Sequence, residues 1–364
     1  MDRLIETFCA LVAVDSPSYG ERMMCEELRR RLAELGIEAH EDDSARTSGS
    51  ECGNLCAFVP GEGEPLLLSA HMDTVSPACG KRAVVHDDGT ITSAGETVLG
   101  ADCLAGVSVI LEVLARLKER GAPHRPIELV FDTAEEAYCI GIQSFNFSTV
   151  RSKEVYVLDL DGPVGRAAWQ APTMISFRAE FAGRSTHAAF SPELGVHALK
   201  AACLGASRVP CGRAGETTVN LGTIHGGKAD NVVPDLCVLT GEVRSFSDPA
   251  ARQKLAEIEA IFCRAAEQTG AKLSFSSTDL CSAYHTAPES RPVQAYSRAC
   301  RAAGIEPQFV STYGGSVNNH FAAHGIEGLV IAAGMNNCHG VHEYTSCREL
   351  ARAAQIVEAL VCGI

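Results

Sequence analysis

His71 and Asp73 follow directly on the apolar run 65–70. In an extended segment, residues two apart share a face. The Asp73 carboxylate can therefore accept a bond from one imidazole nitrogen and leave the other free for a metal ion. Four further groups of similar chemistry recur along the chain. Asp102 opens a helical run behind Gly100, and the adjacent acids Glu135 and Glu136 lie just beyond the apolar run 127–132. Asp159 and Asp161 lie at the end of the run 155–159, and His339 and His342 lie near the C-terminus. Taken singly, each has a bland structural explanation: Asp102 suits a helix N-cap, and two adjacent glutamates are simple solvated charge. Taken together, they supply imidazole and carboxylate, the mixture that suits zinc, cobalt or manganese. Acids gathered at separate strand ends repel one another unless cations sit between them, so the set predicts a metal site.

The hydrophobic pattern gives the elements that must carry these residues. Strands are expected at 54–59, 65–70, 127–132 and 155–159, with helices at 2–13, 21–35, about 103–120 and near 139–148. From 290 onward the alternation resumes, with helices at 290–303, about 317–324 and about 347–361 and strands at 308–312 and 328–332. Such alternation predicts an α/β fold, a largely parallel sheet with helices on both faces. The strand ends of such sheets are where sites collect. Between these halves the order changes to strand 174–182, helix 195–207, strands 217–224 and 236–246, helix 249–269 and strand 272–276. That is the split βαβ sandwich. The expected organisation is a discontinuous α/β domain of residues 1–172 and 283–364, interrupted by a small α+β domain of residues 173–282.

A chain of 364 residues fits two domains. Asp and Glu total 45 against 31 Lys and Arg, a formal net charge of -14, which argues against a nucleic-acid partner. No apolar run approaches the roughly 18 residues of a membrane span, so no membrane partner is expected. The N-terminus carries Asp2 and Glu6 where a secretory signal would be basic, which points to a cytoplasmic protein. The sixteen cysteines are scattered without a CxxC pair and read as reduced, small core residues.

The same residues carry a family resemblance. In order, the chain shows H-x-D-T-V at 71–75, G-A-D-x-x-A-G at 100–106, T-x-E-E at 133–136 and D-x-D-G-P-V-G at 159–165. H-A-x-x-x-P-E-x-G at 187–195, N-x-G-x-I-x-G-G at 220–227 and H-x-x-x-E at 339–343 complete the series. This set resembles the peptidase T-like dinuclear-metal exopeptidases, a family that also holds carboxypeptidase G-like enzymes and acetylornithine deacetylase-like amidohydrolases. The resemblance covers nearly the whole chain. It implies a zinc-peptidase-type mixed sheet with an inserted ferredoxin-like dimerisation domain, and two divalent ions, zinc first, with cobalt or manganese as alternatives.

The resemblance also implies roles. His71 would bind one metal with Asp73 orienting it, Asp102 would bridge both, and Glu136 would bind the second. Asp159 would be the acid of the next strand, with Asp161 as its fallback, and His339 the last ligand, with His342 its neighbour. Glu135 would be the general base that takes the proton of the attacking water. His187 would come from the small domain across a dimer interface, Arg244 would clamp a substrate carboxylate, and Asn220 would lie near the substrate. The implied activity is amide hydrolysis in short peptides by a homodimeric aminopeptidase. An N-acyl amino acid is the alternative substrate, and a non-catalytic binding relative is disfavoured because Glu135 is retained. Cys103, Leu104 and Val317 depart from the family pattern, and Cys103, beside the bridging acid, is expected to be an activated, oxidation-sensitive thiol.

Overall fold

The computed structural model describes residues 2–363. The chain divides into two compact units, one of residues up to 170 with 285–312 and those from 316 onward, the other of 171–284 with 313–315.

The larger unit is built on a nine-stranded sheet. The run Leu66–His71 is apolar and buried at every position, which suits a strand covered on both faces. It pairs in parallel with Ile127–Asp132 on one side and Glu154–Leu160 on the other. Glu327–Ala332 continues the parallel set beyond Glu154–Leu160. Leu55–Val59 and Arg166–Ala171 pair antiparallel with the strands inside them, so the sheet is mixed rather than largely parallel. One face is covered by the helices Arg3–Val12, Ala101–Arg120, Arg291–Ala302 and Cys347–Cys362. Ala101–Arg120 is buried along almost its whole length, so it is a core helix. The other face carries Phe145, Phe321 and Ile142 over Leu67, Val130 and Val157.

The helix expected near 139–148 is absent: the segment forms two 3-10 turns, Ile142–Ser144 and Phe147–Thr149. Tyr138 and Cys139 take left-handed φ values of 65° and 54°, and the Asn146 side chain accepts the Ser148 N–H, an Asx turn that competes with helix. Gly141 is needed here, because a Cβ would lie 2.1 Å from the Thr133 carbonyl oxygen. The stretch between the strand Leu66–His71 and the helix Ala101–Arg120, for which no element was expected, supplies Ala83–Val85 and Thr90–Ser93 to a three-stranded sheet completed by Tyr344–Ser346.

The inserted unit runs strand Thr173–Ala182, helix Ala198–Ala206, strands Thr217–Gly226 and Leu236–Ser245, helix Asp248–Thr269 and strand Lys272–Cys281. Thr217–Gly226, Leu236–Ser245, Thr173–Ala182 and Lys272–Cys281 lie side by side in that order, all antiparallel, as in ferredoxin-like folds. Both helices pack on one face, where Ile175, Phe177, Phe181, Leu239, Val243 and Phe262 form the core. Glu242 and Arg244 alternate with Val243 and so point to the helix-free face.

Candidate metal centre

The carboxyl ends of three parallel strands bring His71, Asp132 and Asp159 together, and Asp102 enters from the start of the long helix. His71 Nε2 lies 3.0 Å from Asp102 Oδ1 and 3.4 Å from Asp159 Oδ1. His339 Nε2 lies 3.1 Å from Asp102 Oδ2 and 3.1 Å from Glu136 Oε2. The Asp102 carboxylate thus turns one oxygen to each of two trios of donors. All five residues proposed from the sequence as ligands meet here. Asp161 does not: it lies past the end of its strand, its side chain is 65% exposed, and it faces Arg166. The alternation rule that made it a fallback stops where the strand stops. His342 is exposed, and its carbonyl accepts from Asn337.

A chain of hydrogen bonds positions these groups. His71 Nδ1 lies 2.9 Å from the Asp73 carbonyl oxygen, closer than the Asp73 carboxylate at 3.5 Å. The backbone of Asp73 is therefore the nearer partner of the ring. Its carboxylate instead accepts the N–H groups of Glu135 and Glu136 at 3.0 and 3.2 Å and the Ser18 hydroxyl at 2.7 Å. One side chain thereby holds both glutamates. Glu343, buried, accepts the N–H groups of Gly100 and Asp102 at 2.7 and 2.9 Å. Glu21, also buried, accepts those of Tyr19 and Ala134. Sequence reasoning passed over Ser18, Glu21 and Glu343 as positioning groups. Only Glu343 carried a signal, as the last residue of H-x-x-x-E. Ala134, Cys139 and His339 take left-handed φ values of 48°, 54° and 65°, backbone strain of the kind that gathers at functional sites.

The electrostatics test whether cations fit. A carbonyl only accepts, so His71 Nδ1 carries one ring proton. Against the cost of burial, Cys103, Asp159 and Asp102 raise the imidazole well above its ordinary value, so in the chain alone Nε2 carries a second proton, donated to the carboxylate oxygens. Such acceptors converge only around positive charge. Burial, reinforced by neighbouring acids, pushes Asp159 up to about 7 and raises Glu135 and Glu136 above the usual carboxylate range. Asp132, with neither oxygen hydrogen-bonded, is pushed by burial up to about 8. Against the cost of burial, bonds from His339 and His71 hold Asp102 well below its ordinary value. Bonds to Asp102 and Glu136 lift His339 to about 11. Glu136 Oε1 is buried with no partner. Acids in excess, an orphaned carboxylate oxygen and two imidazoles whose protons face carboxylates, where a cation would take the protons' place, all fit divalent ions.

Cys103 lies at the same place but not in the expected state. Its thiol is fully buried, donates to the Leu158 carbonyl oxygen at 2.8 Å, and is raised well above its ordinary value by burial and then by Asp159. Inside the fold it is a core donor rather than an activated thiolate, although its Sγ lies within 4.8 Å of donor atoms of His71 and Asp159. Leu104 and Val317 are buried core residues. No two cysteines are joined by a disulfide among the described residues.

The remaining candidates belong to the inserted unit. His187 is exposed and stacks on Phe190 at a centroid distance of 4.1 Å, and Phe190 is itself 83% exposed. His187 Nδ1 accepts the Ala189 N–H, so in the neutral ring the proton sits on Nε2. A cavity of about 610 Å³ lies beside it, lined by Ala188, Pro192, His197, Gly227 and Lys228. Asn220 is the cross-strand partner of Glu242. Arg244 is bonded to Glu242 and to the Tyr313 carbonyl oxygen.

Two donor trios sharing one carboxylate, at the strand ends of a mixed α/β sheet, mark the class of metal-dependent hydrolases. The chain belongs to peptidase family M20/M25/M40, whose model it matches over residues 67–362. It is 32% identical to the uncharacterized protein YqjE of Bacillus subtilis, over 99% of this chain and 97% of that protein. Among solved structures it is similar to the aminopeptidase PepT of Bacillus cereus, with 32% identity, a TM-score of 0.91 and coverage of 100% of this chain and 98% of that one. A tripeptidase of Staphylococcus aureus has 30% identity and a TM-score of 0.94, with coverage of 99% and 97%.

Proposed function

We propose that this protein is an aminopeptidase that hydrolyses short peptides with two divalent ions, zinc first among them. The observation that carries the reading is the division of the Asp102 carboxylate between the His71–Asp159 and His339–Glu136 pairs, with Glu135 beside them. His71, Asp102 and Asp159 would hold one ion, and Asp102, Glu136 and His339 the other. The ions would supply Lewis acidity, polarising the scissile carbonyl and lowering the pKa of a shared water.

The chain's own residues supply the rest. Glu135 takes the proton of the attacking water and returns it to the leaving amine. A carboxyl raised by burial holds a proton at neutral pH more readily than an ordinary glutamate, which suits the second half of that task. Asp73 keeps Glu135 and Glu136 in register by accepting both of their N–H groups. His187, with its proton on Nε2, donates to the developing oxyanion. Arg244 and Asn220 face the substrate.

The domain roles belong to the same reading: residues 1–172 and 283–364 catalyse, and 173–282 form a dimerisation domain that brings His187 to a neighbouring subunit. The exposed Phe190 beside His187 supports a buried role for that surface in a homodimer. We place the enzyme in the cytoplasm. No described helix is long and apolar enough to cross a membrane.

The test is a turnover screen of the metal-loaded protein on free di- and tripeptides beside N-acyl amino acids. Release of the N-terminal residue from free peptides, lost on chelation and restored by zinc, cobalt or manganese, is the expected result. Cleavage of N-acyl amino acids alone would replace the peptidase reading with a deacylase.

A further inference from the structure

The helix-free face of the inserted sheet carries Asn220, Glu242 and Arg244 as neighbours. Arg244 is not waiting there with an open guanidinium. Its Nε donates to Glu242 Oε1 at 2.8 Å and its Nη2 to Glu242 Oε2 at 3.0 Å, a bidentate fork. Its Nη1 donates to the Tyr313 carbonyl oxygen at 2.9 Å, which fixes the plane of the group. The two side chains are 24% and 26% exposed, so the pair is open enough for a ligand to reach yet dry enough for charge to matter. A substrate carboxylate binds arginine through this same fork geometry. The chain therefore already holds a carboxylate in the fork that a substrate carboxylate would need.

We propose that Glu242 is a specificity-determining residue, an internal carboxylate that occupies the Arg244 fork and weakens selection for substrates with a free C-terminal carboxylate. The inference rests on the reading of Arg244 as a substrate-facing residue. Glu242 and Arg244 sit two apart on one strand face, so the pair forms without any rearrangement of the backbone. An incoming carboxylate must displace Glu242 and meets its negative charge while doing so. A peptide amide, or a longer peptide whose carboxylate lies elsewhere, meets neither obstacle. Selectivity arises here from a built-in like charge rather than from a missing contact.

The experiment uses the full-length, metal-loaded protein with trialanine and trialanine amide as paired substrates. In the parent, the two KM values are expected within about threefold of each other, the range left by an arginine whose charge is already matched. In both Glu242→Gln and Glu242→Ala, the ratio of the amide KM to the acid KM is expected to rise about tenfold, equivalent to about 1.4 kcal/mol of selectivity. Adding Arg244→Ala to Glu242→Ala is expected to abolish that rise. Glu242→Gln keeps the shape and one acceptor oxygen, so it serves if the alanine variant folds poorly. A purely structural Glu242 would move both KM values together, and that result overturns the proposal. If Arg244→Ala in the parent raises the acid KM while neither Glu242 variant changes the ratio, Glu242 has no such role and the reading of Arg244 stands. If the rise in Glu242→Ala persists when Arg244→Ala is added, it came from loss of the negative charge alone and the reading of Arg244 itself is wrong.

Discussion

The two charged clusters of this molecule are built in opposite ways. At the strand ends of the larger unit, Asp102, Asp132, Glu135, Glu136 and Asp159 gather around two imidazoles, and among the described residues no arginine or lysine pairs with any of them. On the inserted unit several acids have basic partners: Glu242 with Arg244, Glu180 with Arg178, Asp248 and Asp279 with Arg252, Asp235 with Lys228. The first cluster is incomplete until positive charge arrives from outside the chain. In the second, the Glu242–Arg244 pair is neutral as built, and a ligand must compete with it. Burial separates them further, since the inserted pairs are partly exposed and each contributes little to stability. The buried acids of the centre carry a standing penalty that only cations or protons relieve.

The sharpest way to break this contrast lies inside the acidic cluster itself. Changing Glu135 to Gln keeps its shape and leaves both trios intact, so bound metal should be unchanged. Turnover should fall on the order of 10²–10⁴-fold, the usual loss when a general base is removed. Changing Glu136 to Gln should instead weaken metal binding first, with activity partly rescued by excess metal. Metal content and kcat measured on both variants decide the matter, and an exchange of the two signatures would reverse the assigned roles.

The next effect is on stability. Asp132, Asp159 and Glu343 have folded values of about 8, 7 and 7, all above those of unfolded carboxylates. Between about pH 4 and pH 8 these groups bind more protons in the folded, metal-free chain than in the unfolded chain, so they make stability fall as pH rises, against the opposing contribution of His320, lowered by burial to about 4. His339, raised to about 11, acts in the same direction above about pH 6.5. The chelated protein should show a lower Tm at pH 8 than at pH 5, and metal should raise Tm most at pH 8. An equal metal effect at both values would mean that the acids are balanced by something other than the ions.

The smallest effect concerns Cys103. Iodoacetamide should label the exposed Cys79, Cys203, Cys211 and Cys263 in the native protein and leave the buried Cys103 unmodified until the chain unfolds. Mass mapping of labelled peptides reads this directly. Early labelling of Cys103 would show that the centre opens to solvent.

These outcomes also mark what was legible in the sequence. The predominantly apolar runs at 65–70 and 127–132, without polar alternation, announced buried strands, because a strand covered on both faces has no solvent-facing side. Strand–helix alternation gave the α/β class and the β-α-β-β-α-β order of the insert. The small sheet of Ala83–Val85, Thr90–Ser93 and Tyr344–Ser346 was not legible. Its strands are three or four residues long, and one pairing joins positions some 250 residues apart, which local pattern cannot reveal. The segment 139–148 misled because its apolar residues suit a helix, while the Asn146 turn and two left-handed residues forbid one. Donor types at the centre were visible from their placement after apolar runs. Their mutual order came from the family resemblance. The thiol state of Cys103 was misjudged because proximity to cations was weighed and burial was not. Glu242 stood two residues from Arg244 in plain view, but only side-chain geometry reveals that the two are paired.

The placement of His339 has a consequence for how the protein is made. His71, Asp102 and Asp159, the donors of one trio, all lie before the insert, whereas His339 lies beyond it. A ribosome must add roughly 180 residues after Asp159 before His339 exists, which takes about 10–40 s at ordinary synthesis rates. For that interval the nascent chain carries all three donors proposed for one ion and only part of the set proposed for the other. Residue order along the chain thus makes the second trio the last to be completed, after Glu135, the proposed general base, has been synthesised.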